Sequence, residues 1–123
     1  MTTLNIALLN KTLDAIVADP ESWDQRDFLC GTKMCLAGHA LIQSGEYKIQ
    51  GNQFVNLDTD KAVSAEEVGE ELLGLTYEQT EALFYLIPGS TDDEGNDTWA
   101  ERVGTTEPDP VAFAAYVRTY LGV

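Results

Sequence analysis

The stretch Cys30 to Ala40, CGTKMCLAGHA, constrains the fold more than any other part of the chain. Ala37, Gly38 and Ala40, followed by Leu41, leave one side of a helix so short of bulk that another backbone can pack against it closely. A helix of this kind belongs at the centre of a molecule. Thr32 is placed to cap it, the helix should run to about Gln43, and Ser44 with Gly45 should stop it.

The flanking patterns supply partners for that helix. Leu9, Leu13, Ile16 and Val17, preceded by Ile6, recur at spacings of three and four and predict a helix from about Asn5 to Ala18. Asp19 and Pro20 end it, because the residue before a proline is pushed out of the helical region. The turn ADPESWDQ then offers Trp23, and beyond it Phe28, as core anchors. In EYKIQGNQFVNL, two β-prone runs flank Gly51 and Asn52. A two-residue loop would set Ile49 opposite Phe54 but Tyr47 opposite Asn56. A three-residue loop, Gly51 to Gln53, gathers Tyr47, Ile49, Val55 and Leu57 on one face, which is the register expected of a half-buried hairpin.

Two capping boxes follow, Ser64 with Glu67 and Thr76 with Gln79. They predict a helix from Ala65 to Leu73 closed by Gly74, then a second helix, together an αα-hairpin with Leu72, Leu75, Leu83, Phe84 and Ile87 as its shared core. Pro88 and Gly89 stop it. Ser90 to Asp97 reads as a polar, mobile surface loop. Thr98 with Glu101 suggests a short capped turn that buries Trp99 and Val103. Asp109 should cap, and Pro110 open, a last helix with Phe113, Val117, Tyr120 and Leu121 on one face. The chain has 123 residues, which suits one domain, residues 1–123, with no need of staples. The expected architecture is mainly helical α+β: five or six helices around the small-residue helix, with one small β-hairpin at its edge.

Candidate chemistry concentrates in the opening stretch, which holds both cysteines and the only histidine. Cys35 and His39 are four apart, one turn on a helix, and could act as thiolate and base. Nucleophilic catalysis also needs an oriented base and an oxyanion stabiliser, and neither is visible. Cys30, Cys35 and His39 resemble a partial zinc set with Asp27 as the nearest oxygen donor, but structural zinc usually takes two ligand pairs and no second pair exists. A Cys30–Cys35 disulfide would require the loop to fold back over the first helical turn. The simplest reading makes both cysteines small buried apolar side chains and His39 a hydrogen-bonded helix residue.

Two segments carry calcium-like spacing. In STDDEGNDTWAE, Asp92, Glu94, Asn96 and Glu101 match ligand positions, but Ser90 would be the first ligand and Asp97 occupies an apolar position. In NLDTDKAVSAEE, Asn56, Asp58, Asp60 and Glu67 match, but Lys61 stands where the turn glycine belongs. GEELLGLTYEQTEALF has the outline of a helix-turn-helix, yet its second helix offers Glu78, Gln79 and Glu81 and no basic side chain to meet phosphate. No cofactor and no metal is expected.

Charge is the other strong signal. The formal net charge is -14, and between Asp58 and Asp109 fifteen acids face only Lys61 and Arg102. Such a field repels nucleic acid and anionic lipid and can steer basic proteins or cations toward the domain; the plainer alternative is a charge excess that only keeps the surface solvated. The N-terminus lacks the marks of a signal peptide and no apolar run approaches the roughly 20 residues of a membrane span, so a cytoplasmic protein is expected.

With PESWDQ, CGTKMCLAGHA and LLGLTYEQTEALF considered together, the chain resembles an uncharacterised family of small proteins from actinobacteria and their phages with a C-G-T-x-x-C-x-A-G core motif. The likeness covers roughly Asn5 to Ile87. The position of His39 can be tryptophan in such relatives, which argues against a metal or catalytic role for it. The resemblance implies a cytoplasmic setting and a phage or mobile-element origin, and no mechanism. The functional expectation is therefore a non-enzymatic acidic interaction protein that binds a host protein with a basic surface, without direct contact to nucleic acid or membrane. Glu78, Glu81, Asp92, Asp93, Glu94 and Asp97 are its expected binding residues. A special form would be nucleic-acid mimicry by the carboxylates. The alternative is a thiol or metal site at Cys30, Cys35 and His39.

Overall fold

A computed structural model of the chain describes residues 4–24, 34–87, 91 and 94–123. The elements in order are α1 (Ile6–Ala18), a 3-10 turn (Pro20–Ser22), α2 (Leu36–Ser44), β1 (Tyr47–Gln50), β2 (Gln53–Asn56), β3 (Ala62–Val63), α3 (Ala65–Leu73), α4 (Tyr77–Phe84), α5 (Thr98–Val103) and α6 (Pro110–Leu121). The architecture is mainly helical α+β, as the periodicity predicts. The sheet is antiparallel in the order β1-β2-β3.

α2 is the hub, touching α1, α3, α4 and β1, and every residue from Leu36 to Leu41 is buried. The small side chains allow this. A Cβ added at Gly69 on α3 would stand 3.1 Å from the Ala37 Cβ and 3.2 Å from the Phe84 ring. α2 and α3 therefore meet where one of them carries only hydrogen. The start of α2 lies later than the sequence suggests: the N-cap is Cys35, with no side-chain capping bond, and Thr32 lies outside the described residues. Met34 is held in extended backbone, its N–H donating to the Ser22 carbonyl at 2.8 Å and its carbonyl accepting from Asp24 at 2.9 Å. Those bonds keep residue 34 out of the helix.

The hairpin register is the two-residue one, a correction. Tyr47 pairs with Asn56 and Ile49 with Phe54. Gly51 takes φ +66°, the left-handed first position that a tight Gly-X hairpin turn requires. Local turn chemistry thus overrides the tidy alternation of Tyr47, Ile49, Val55 and Leu57. A third strand explains why alternation misleads: β2 is central, flanked by β1 and β3, so Phe54 is buried in the main core and Val55 is buried although it points to the opposite face, while Leu57 stays exposed.

Leu9, Leu13 and Ile16 of α1 are fully buried, whereas Ile6 is exposed and Val17 half-buried. α3 has the expected bounds, but Ser64 makes no side-chain capping bond. The second capping box is formed: Thr76 Oγ1 accepts from the Gln79 N–H at 3.2 Å and Gln79 Oε1 accepts from the Thr76 N–H at 2.9 Å. Leu75, Leu83 and Phe84 are buried as expected, together with Leu73 and Leu86; Leu72 and Ile87 are only half-buried. Asp97, one residue before Thr98, caps α5. On α6, Phe113 and Val117 are buried as expected, but the third buried position is Ala114, while Tyr120 is exposed. Trp23, Trp99 and Phe113 form an aromatic cluster, with Trp99 and Phe113 stacked at 5.5 Å and the Trp99 Nε1–H donating to the Glu107 carbonyl at 2.9 Å. Phe28 lies outside the described residues.

Candidate functional site

The described part of the opening motif, Met34 to Ala40, supplies packing. Cys35 is 1% exposed at the α2 N-cap. His39, also buried, turns its Nε2 away along the preceding turn to the Ser22 carbonyl at 3.0 Å. A carbonyl only accepts, so Nε2 is a nitrogen that carries a proton. Burial lowers the imidazole pKa from 6.5, against the opposing pull of the Ser22 bond and of Asp19. His39 fastens the 3-10 turn to α2, and its reach to Ser22 depends on its placement in the first turn of the helix. Cys30 and Asp27 lie outside the described residues.

The acidic loop is dispersed in its duties. Asp92 and Asp93 lie outside the described residues and Glu94 is exposed. Asp97 is half-buried and its Oδ1 accepts from the Ala100 N–H at 3.0 Å, so this carboxylate caps a helix. The calcium-like segment before α3 is a backbone turn. Asn56 Oδ1 accepts from the Asp58 and Thr59 amides at 2.8 and 3.0 Å, and Asp60 takes φ +58°. Among the described residues no group of three or more histidine, cysteine or acidic side chains is arranged to hold a metal ion.

The structure does bring together one extended surface, on α3 and α4. Tyr77, Glu81 and Tyr85 fall at i, i+4 and i+8, and Glu78 lies within the same exposed arc, which borders the buried arc of Thr80, Leu83 and Phe84. Glu66 and Glu70, also i and i+4, run along the neighbouring flank of α3. The two helices meet there: the Tyr85 hydroxyl donates to Glu66 Oε2 at 2.6 Å. The phenol pKa of Tyr85 is pushed up to about 12, first by that hydrogen bond. That of Tyr77 is also raised, first by its hydrogen bond to Glu81 and then by the charges of Glu81, Glu66 and Glu70. Negative charge around each ring disfavours a phenolate. Tyr77 is 70% exposed and Tyr85 44%. An open depression of about 470 Å³, lined by Phe54, Val63, Ser64 and Glu66 among others, adjoins this face at Glu66.

Of the expected binding residues, the structure therefore joins Glu78 and Glu81 in one face and assigns Asp97 elsewhere. Tyr77, Tyr85, Glu66 and Glu70 are additional members of that face. Their signal was the four-residue spacing of Tyr77, Glu81 and Tyr85, off the apolar stripe of α4. Comparison with protein-family models, curated proteins and solved structures finds no match to the chain. Among the described residues no helix is long and apolar enough to cross a membrane.

Proposed function

We propose that the chain is a non-enzymatic acidic interaction protein that binds a host protein carrying a basic surface, acting in the host cytoplasm as an accessory factor of a phage or other mobile element. The observation that carries this reading is the α3–α4 face: from Ala65 to Tyr85 the chain has six glutamates and no lysine or arginine, and two exposed tyrosines stand among them. Tyrosine is over-represented where binding energy concentrates, and surrounding carboxylates steer and orient a basic partner. The resemblance to small proteins of actinobacteria and their phages supports the mobile-element setting.

Capture of partners from host lysate across a salt series tests the reading. A partner retained at low salt and released progressively as salt rises is the expected result, because screened rim charges lose their pull over about 10 Å at 0.1 M. Recovery of no salt-sensitive partner would remove the basis of the proposal. DNA competing for the same partner would identify the mimicry form.

A further inference from the structure

We propose that the α3–α4 face docks an arginine-bearing segment of the partner protein, with the rings of Tyr77 and Tyr85 as stacking platforms and Glu66, Glu70 and Glu81 as countercharges. The inference rests on the reading above and names what that reading leaves open. Tyr77 is the most exposed of the large hydrophobic side chains among the described residues, in a helix where an aromatic ring is a poorer helix former than alanine. Packing within the chain gives it little. Tyr85 lies eight residues further on, about 12 Å along the helix axis at 1.5 Å per residue. Its hydroxyl is already anchored by Glu66 at 2.6 Å, so the ring is held in place before a partner arrives, which reduces the ordering cost of binding.

Charge decides the occupant. A second copy of the chain would bring six more glutamates from Ala65 to Tyr85 against the first six, so self-association through this face is repelled. A cation is required, and the setting favours arginine over lysine. A guanidinium is planar, stacks on an aromatic face and can present its fork of donors to adjacent carboxylates at the same time. A lysine ammonium offers a compact, strongly hydrated point charge that loses more on leaving water. Two positions about 12 Å apart along the helix axis would receive two arginines about two helical turns apart on a partner helix.

The test titrates two synthetic helical peptides into the full chain by calorimetry at low and moderate salt. One peptide carries arginines at i and i+7, the other lysines at the same positions. The arginine peptide should bind at least about tenfold more tightly than the lysine peptide, Tyr77→Ala should erase that preference, and Tyr85→Phe should keep most of it because the ring remains. Circular dichroism establishes that the variants are folded, as their exposed positions lead one to expect. Failure of the arginine peptide to bind, equal binding of the two peptides, or a Tyr77→Ala protein that binds like the parent overturns the arginine platform. The basic-partner reading then stands or falls separately on the salt-sensitive capture from lysate.

Discussion

α2 and α4 touch each other, yet they use their side chains in opposite ways. α2 and its N-cap hold the residues a chemist notices first, a cysteine and the only histidine, and both are buried with structural duties: Cys35 starts the helix and His39 ties it to Ser22. α4 and its C-cap hold ordinary glutamates and tyrosines, and these face outward beside two more glutamates of α3. Reactivity of residue type is therefore a weaker guide to function here than placement. Cys35 is 1% exposed, whereas Tyr77, 70% exposed on a helix, has room for a partner.

The comparison can be broken most forcefully from the α2 side. Leu36→Ala, at a fully buried position, should cost about 2–5 kcal/mol by removing buried methyl groups and leaving a cavity; an urea titration reads this as a lower midpoint. Gly69→Val should cost about 1–3 kcal/mol, because the new side chain meets Ala37 and Phe84 where α3 approaches α2 closely. A stable Gly69→Val protein would contradict the close approach of α2 and α3. Next come the two capping boxes. Thr76→Ala should cost about 1 kcal/mol, since its hydroxyl caps α4. Ser64→Ala should cost only a few tenths of a kcal/mol, since Ser64 makes no side-chain capping bond. Equal losses would show that both boxes form.

His39 sharpens the contrast through pH. Its folded pKa lies below the ordinary 6.5, so the folded chain favours the neutral ring and the unfolded chain binds more protons just below pH 6.5. The stability it contributes is complete above pH 6.5 and is lost as pH falls toward the lowered folded value. A His39→Gln variant should therefore show a flatter fall in thermal midpoint between pH 7.5 and about 5 than the parent. An identical pH profile for both would remove His39 from the account. The smallest expected effect on stability comes from the α4 surface: Tyr77→Ala should shift it by less than about 0.5 kcal/mol, as is usual for exposed positions, while weakening partner binding.

Much of the fold was legible because local rules agreed with packing. The bounds of α3 follow from the Ser64–Glu67 spacing and the left-handed Gly74, and they hold although Ser64 makes no side-chain capping bond; the central position of α2 follows from Ala37, Gly38 and Ala40. The hairpin register was not legible from alternation, because β3 makes β2 central and buries residues of both its faces; Gly51 at the turn was the better signal. Cap identity also escaped at α2 and α5, where extended backbone bonds of Met34 and the carboxylate of Asp97 decide the start. The candidate site was half legible. Glu78 and Glu81 were visible as charge, but the union of α4 with Glu66 and Glu70 depends on how two helices cross, which no local spacing encodes.

In the proposed function the α3–α4 face, rather than the acidic loop before α5, meets the partner. The direct measurement is salt-dependent capture from host lysate with three proteins: the parent, a face variant combining Glu66→Gln, Glu70→Gln and Glu81→Gln, and a loop variant combining Asp92→Asn, Asp93→Asn and Glu94→Gln. Each variant removes three charges, so net charge is matched. The account predicts that the loop variant retains the partner and the face variant loses it; a face variant that captures the partner as well as the parent does would contradict it.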